Sequence, residues 1–373
     1  MGRIRKRKKK NKDSTNSTED QILEFSDLLS KPEKKKKNLF HTGSTMLNLV
    51  LSDSASGGWK KGKIENLIGD SSSGKTFIAK STLAEMCYNP EYDNYRLIFD
   101  DVEEADEFDD NLFGKLKDRV EPPSFDDNGN PKNSDTIQDF HDNILDALDR
   151  KRPFIYVLDS LDALDAEEDQ KKVEEQRIAR KKGNNTKGTF GTAKPKIVSW
   201  ILKNIKGKLK KHGSTVIIIS QVRDKIDTFG FGPKKTRSGG RALKFYSCHE
   251  IWMVITKNLK KRDRSYGVIS TIKCSKNKIT GKARECKLAI YYDYGIDDIG
   301  SMIDFLVNEK YWKKKKNTII VHNWEDIADS TREKLILQLQ DNEEKLKELS
   351  IICENVWHQI EESIKTKRSK KYK

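Results

Sequence analysis

One stretch limits this chain more than any other. Ile64-Glu65-Asn66-Leu67-Ile68-Gly69-Asp70-Ser71-Ser72-Ser73-Gly74-Lys75-Thr76 is a short apolar run that breaks into Gly-x-x-x-x-Gly-Lys-Thr. Phe77-Ile78-Ala79-Lys80-Ser81-Thr82-Leu83-Ala84-Glu85-Met86 follows at helical spacing, so the order reads strand, loop, helix. Gly69 and Gly74 open backbone conformations closed to other residues, which lets the N–H groups of Asp70, Ser71, Ser72 and Ser73 turn inward around a polyphosphate. The helix that begins beyond Gly74 adds its positive end. Lys75 is expected to reach the β- and γ-phosphates as a mobile charge, and the Thr76 hydroxyl to ligate Mg2+. A nucleotide-binding α/β fold is the architecture this pattern selects.

From residue 38 onward, strand-like and helix-like runs alternate, which predicts a mainly parallel central sheet. The β-runs fall at residues 63–68, 95–100, 154–158, 214–220, 250–255, 268–274 and 286–292. Chemistry in such sheets gathers at the carboxyl ends of the strands. The run Phe154-Ile155-Tyr156-Val157-Leu158 ends in Asp159, placed to hold Mg2+ through water opposite the phosphate loop. Tyr95-Arg96-Leu97-Ile98-Phe99 ends in Asp100, Asp101, Glu103 and Glu104. Hydrolysis of a triphosphate needs a carboxylate that orients and deprotonates water beyond the γ-phosphate; Glu103 is the expected base and Glu104 the alternative. In Ser214-Thr215-Val216-Ile217-Ile218-Ile219-Ser220-Gln221-Val222-Arg223, Gln221 is expected first beyond the strand, where a neutral amide can sense the γ-phosphate. The loop from Asp224 to Lys244 then combines Gly230, Gly232, Gly239 and Gly240 with Lys225, Lys234, Lys235, Arg237, Arg241 and Lys244, and with Phe229 and Phe231. Hinges, phosphate-seeking cations and stacking rings suit single-stranded nucleic acid.

Charge has to be located before it is interpreted. The net +15 of the 373 residues sits mostly in two arms: residues 1–37 carry 13 Lys/Arg against 6 Asp/Glu, and residues 365–373 carry 6 Lys/Arg and no acid. Such arms cannot bury enough apolar surface to fold alone, but they bind phosphates with strong salt dependence. Within the first arm, residues 19–29 have the apolar spacing of one short amphipathic helix, suited to docking on a neighbouring subunit or on its own core. No apolar stretch approaches the roughly 18 residues of a membrane span. Five scattered cysteines without a C-x-x-C pair, and six histidines without ligand spacing, fit a reduced cytoplasm and argue against structural zinc.

Several strings occur together and in a recognisable order. They are Thr42-Gly43-Ser44, Gly57-Gly58-Trp59-Lys60-Lys61-Gly62-Lys63-Ile64, the phosphate loop, the Asp159 strand, Ser220-Gln221-Val222-Arg223-Asp224-Lys225-Ile226, Ser238-Gly239-Gly240-Arg241-Ala242-Leu243-Lys244-Phe245-Tyr246 and Lys276-Asn277-Lys278. Over roughly residues 38–310 the chain resembles the bacterial RecA recombinases, in a diverged form such as a phage could encode. The resemblance implies a RecA-like P-loop ATPase core over 38–300; beyond it the match weakens, and the helix-like runs at 302–307 and 332–364 with a strand-like run at 318–321 read as a small α-rich module over 301–373. It also implies head-to-tail helical filaments on single-stranded DNA, with ATP and Mg2+ sandwiched between subunits, and pairing with a homologous duplex. On it, Glu103 matches the catalytic carboxylate and Gln221 the residue that couples the γ-phosphate to a DNA-binding loop. Arg223, Lys225, Phe229, Lys234, Lys235, Arg237, Gly239, Gly240 and Arg241 match that loop, with Phe229 as its wedge between bases. Lys276 and Lys278 match a pair reaching a neighbour's phosphates. The family's adenine-stacking aromatic has Phe108 as its nearest counterpart, and the stretch between Asp159 and Ser214 is expanded and charged relative to the family. The residues also fit two rivals: a ring-forming helicase or translocase, and a scaffold that keeps ATP without hydrolysing it.

Overall fold

The computed structural model describes residues 38–104, 108–183, 193–224, 235–237, 240–322, 324, 326–369 and 372, at 223–224 and 235–237 for the backbone alone. The predicted helix at 19–29 lies outside the described residues. The apolar runs pair into one ten-stranded sheet. Its members in chain order are β1 (Ile64–Gly69), β2 (Arg96–Asp101), β3 (Val120–Glu121), β4 (Phe154–Asp159), β5 (Thr215–Asp224), β6 (Lys235–Arg237), β7 (His249–Lys261), β8 (Arg264–Asn277), β9 (Arg284–Tyr291) and β10 (Gly295–Ile296). In space the order is β10-β9-β8-β7-β1-β5-β4-β2-β3, with β6 attached to β5.

Neighbours from β7 through to β3 run parallel, as the alternating pattern predicts. Beyond β7 the sheet turns antiparallel through β8, β9 and β10. The switch comes at a two-residue turn, Arg262-Asp263, whose φ values of 49° and 62° are both left-handed, the geometry that matches the twist of a tight hairpin.

Buried on both faces, the central strands alternate their side chains between two cores. Leu67, Ile155, Val157, Ile217 and Ile219 face one side, packed with helices α1 (Thr45–Ser52) and α2 (Lys75–Tyr88). Ile64, Phe154, Tyr156, Leu158, Val216 and Ile218 face the other. That second side is covered by α3 (Ile137–Asp149), α5 (Lys194–His212) and Leu243 of α6 (Gly240–Tyr246). Between α3 and α5 lies α4 (Glu167–Lys181), a charged helix on which Asp169 is the one buried residue. Local chemistry sets the ends: Thr136 and Asp139 form a capping box at the start of α3, and Gly213, at φ 79°, terminates α5.

Residues beyond 297 continue the first core rather than forming a separate one. Helices α7 (Asp298–Asn308), α8 (Arg332–Gln340) and α9 (Glu343–Ser363) place Met302, Ile303, Leu335, Leu339, Leu349 and Ile352 in the same apolar cluster as α1 and α2. A three-stranded sheet of Lys313–Lys315, Thr318–Ile320 and Ser330–Thr331 sits among them, and Trp324 is buried beside it. The turn around Asn128 is a hairpin, with Ser124–Phe125 against Pro131–Lys132 and the Asp126 carboxylate accepting from the Asn128 and Asn130 backbone. Among the described residues no helix is long and apolar enough to cross a membrane.

Two expectations change here. Gln221 does not lie beyond its strand, because β5 runs on to Asp224, held there by β6 in the register Lys235↔Asp224, Thr236↔Arg223, Arg237↔Val222. The segment 224–244 is therefore not wholly loop: it contains β6, and α6 starts at Gly240.

Candidate active site

The phosphate loop connects the end of β1 to the first residue of α2. Gly74 has φ 94° and Ser72 φ 60°, conformations that turn successive N–H groups to one side. Gly69 is required by space: a Cβ there would lie 2.5 Å from Ser73 Oγ and 2.6 Å from the Met253 carbonyl. A Cβ on Gly74 would collide with Ile290 Cδ1. Ser73 Oγ is buried without a hydrogen-bond partner among the described residues, while the Ser73 carbonyl is held by Ser270 Oγ of β8 at 2.8 Å.

Lys75 Nζ donates to the Asp70 carbonyl at 2.7 Å, so its ammonium lies folded over the loop. Burial lowers its pKa, against the raising effect of Asp159 and Glu103. Thr76 Oγ1 donates to Asp159 Oδ2 at 2.5 Å, joining the first turn of α2 to the end of β4. Asp159 is 5% exposed. Its carboxyl is pushed up to about 6, first by burial and then by the nearby charges of Glu103 and Asp101, with Thr76 and Lys75 pulling the other way. A buried carboxylate beside a hydroxyl and short of positive charge is suited to a hard divalent cation.

Glu103 lies at the turn after β2, where the Val102 N–H donates to the Asp159 carbonyl at 2.8 Å. Its Oε1 accepts from Ser160 Oγ at 2.5 Å and from Gln221 Nε2 at 2.9 Å. The Gln221 backbone N–H donates to Asp162 Oδ2 at 2.6 Å. The Asp159–Ser160 peptide is cis. Of the four acids read at the end of β2, Glu103 lines the cleft and Glu104 does not. Asp100 turns into the second core, where it accepts from Ser134 Oγ at 2.6 Å and Tyr156 OH at 2.5 Å.

These groups enclose a cleft of about 480 Å3. Ser71, Ser72, Lys75 and Thr76 line it together with Leu112, Phe113, Ile290 and Tyr292. Phe108 is not in that lining: it packs edge-on against Phe99 at 5.2 Å, with Lys80 Nζ 4.7 Å from its ring centroid. The exposed Tyr292 and the buried Phe113 are among the rings that line the cleft. Ser160, Asp162 and Tyr292 escaped the sequence reading. Ser160 and Asp162 adjoin Asp159 in the chain, which was the available signal.

Lys276 and Lys278 are not brought to this cleft within one chain. Both reach the carboxyl end of α6: Lys276 Nζ donates to the carbonyls of Lys244, Phe245 and Ser247, and Lys278 Nζ to that of Phe245 at 2.8 Å. Burial first, then the Lys278 charge, lowers Lys276 to about 8. Of the proposed DNA-contacting residues, Gly240 and Arg241 begin α6 and are exposed, and the backbones of Arg223, Lys235 and Arg237 lie in the β5–β6 pair. Lys225, Phe229, Lys234 and Gly239 lie outside the described residues.

The RecA N-terminal domain family model matches residues 155–297, a span that includes Asp159, Gln221, Lys276 and Lys278. Protein RecA of Mycoplasmopsis pulmonis is 30% identical over 325 residues, 86% of this chain and 86% of that protein. The chain belongs to the RecA family. Protein RecA of Trichodesmium erythraeum is 28% identical over 309 residues, covering 83% of this chain and 77% of its own, and that of Arthrospira platensis is 35% identical over 147 residues, 39% and 40%. For a RecA-family chain the mostly parallel sheet and the phosphate loop at its carboxyl edge are the expected core.

Proposed function

We propose that this RecA-family chain is a DNA-dependent ATPase that forms filaments on single-stranded DNA and pairs it with a homologous duplex in recombination and repair. The observation that carries the reading is the Gln221 bridge. Its side chain touches Glu103 in the cleft, and its backbone belongs to β5, four residues before the segment that leaves for β6.

In this reading Thr76 and Asp159 hold the metal, and Ser73 Oγ and the loop N–H groups receive phosphate oxygens. Bound Mg2+ would neutralise charge on the β- and γ-phosphates. Lys75 exchanges the Asp70 carbonyl for the phosphates, where its charge meets the negative charge that grows on the transferring group. Glu103, oriented by Ser160, accepts the proton of the attacking water. Gln221 then carries the difference between occupied and empty cleft along β5 to residues 225–234. Tyr292 and Phe113 offer the base an apolar wall. Lys276 and Lys278 extend toward a neighbour's phosphates, and single-stranded DNA is gripped by Arg223, Lys225, Phe229 and the cations through Arg241.

Steady-state ATPase with and without single-stranded DNA tests the activity, and negative-stain images with a slowly cleaved analogue separate filament from ring. Turnover indifferent to DNA, or closed rings, would reject this reading. Arg223→Ala with Phe229→Ala should abolish strand exchange, and retained exchange would remove the loop assignment.

A further inference from the structure

At the opposite edge of the sheet from the phosphate loop, β2 begins with Arg96, which is 6% exposed. Its Nε and Nη2 both donate to a single oxygen, Glu121 Oε2, at 2.9 and 2.7 Å. Nη1 is buried and has no hydrogen-bond partner among the described residues. A guanidinium holds five N–H donors in a fixed fork, and a buried donor left unpaired costs free energy. One arm of the fork is therefore unused.

Arg96 also lines a surface cavity of about 510 Å3, whose other walls are Glu121 and the turn Asp149, Arg150, Lys151 and Arg152 that joins α3 to β4. Arg152 is tethered by the Asn94 and Asp93 carbonyls at 3.3 and 3.5 Å, while Arg150 and Lys151 are exposed. Glu121 is matched by Arg96, so the turn contributes three cations against Asp149 alone. The nucleotide cleft lies at the other end of the same strands and makes no use of these groups.

We propose that this cavity is an oxyanion-binding site in which Arg96, Arg150 and Lys151 together hold a phosphate or carboxylate group. Planar guanidinium donors suit either anion, and the exposed Arg150 and Lys151 at the rim supply attraction, with no side-chain pair among the described residues. Two sources share the chemistry. One is free inorganic phosphate. The other is this chain's own residues 19–27, which carry Glu19, Asp20, Glu24 and Asp27 with no Lys or Arg, between two basic runs.

The test uses the full chain and follows the side-chain nitrogen resonance of Arg96, assigned by its loss in Arg96→Lys. Inorganic phosphate is titrated against chloride of equal ionic strength, in a Lys75→Ala background so that the phosphate loop is silenced. A saturable shift in the wild-type arm identifies free phosphate as the ligand. Its midpoint should rise by about tenfold when Arg150→Ala and Lys151→Ala remove the rim charges, the loss expected for a charge-assisted hydrogen bond. If the chain's own carboxylates fill the site, the shift appears only after Glu19→Gln, Asp20→Asn, Glu24→Gln and Asp27→Asn are made together. A resonance indifferent to phosphate in both arms, or a midpoint unchanged by loss of Arg150 and Lys151, overturns the proposal.

Discussion

The Gln221 side-chain amide donates to Glu103 Oε1 at 2.9 Å, joining residues 118 apart in the sequence. Under the proposed function, one end of this contact lies where water would attack a triphosphate. The other belongs to a strand whose continuation is the glycine-rich, cationic segment read as a DNA grip. In the proposed cycle Gln221 is a positioning residue: it does not transfer a proton but reports what Glu103 faces.

Replacing Glu103 by Gln keeps the side chain's size and removes its basicity. ATP turnover should fall by about 10^2- to 10^4-fold, the range typical of a lost general base. Nucleotide affinity, read by equilibrium titration with a fluorescent analogue, should change by no more than about threefold. Turnover within tenfold of wild type would move the role to another group.

Gln221→Ala should reduce the stimulation of turnover by single-stranded DNA. Measured across a DNA titration, the variant should show a flattened response and retained DNA binding. A full response would disconnect this amide from the loop.

Asp159 is held at about 6 in the folded chain, above an unfolded carboxyl near 3.8. The folded state thus binds the extra proton between those values, and this residue's contribution to stability declines as pH rises from about 4 to about 6. Asp159→Asn should accordingly stabilise the nucleotide-free protein at neutral pH by up to roughly 3 kcal/mol, read as a higher melting temperature. The gain should vanish below pH ~4. The same variant should lose Mg2+-dependent hydrolysis. Melts across that pH range check the first statement, and an Asn variant less stable than wild type at pH 7 contradicts it.

Lys276 is lowered to about 8 by burial and by the Lys278 charge, so it is cationic below that pH and neutral above it. Filament-dependent ATPase should therefore decline as pH rises through 8, and Lys278→Gln, by removing the repulsion, should move the decline to higher pH. A profile unmoved by that substitution would place the titration elsewhere.

Gly74→Ala puts a Cβ against Ile290 at φ 94°. Chemical denaturation should register a loss of about 1–3 kcal/mol. Wild-type stability in Gly74→Ala would mean that the loop relaxes without cost.

What the sequence made legible was local. The order from Gly69 to Thr76 and the acid at the end of an apolar strand at Asp159 are short-range signals, and both recur in the structure at the carboxyl edge of the sheet. The rest of the cleft's lining was not legible, because Phe113 and Tyr292 are 179 positions apart and share the cleft only in the folded chain. Phe108, the nearest counterpart that the resemblance offers, is instead packed partly buried against the Phe99 ring with the Lys80 ammonium over its face. The hairpin between β7 and β8 carries neither Gly nor Asn at its turn, so nothing marked Arg262 and Asp263 as left-handed. The end of β5 was set too early because its last residues are polar and are kept extended by β6, a partner too short to announce itself.

That partner has a geometric consequence. Since Asp224 and Lys235 face each other across the ladder, the ten residues between them leave and re-enter the sheet at one doorway. A leash fixed at both ends reaches only half its contour, about 20 Å for this length. Under the proposed function, single-stranded DNA held by those ten residues would pass within that radius of the doorway, and an insertion between Asp224 and Lys235 would widen it.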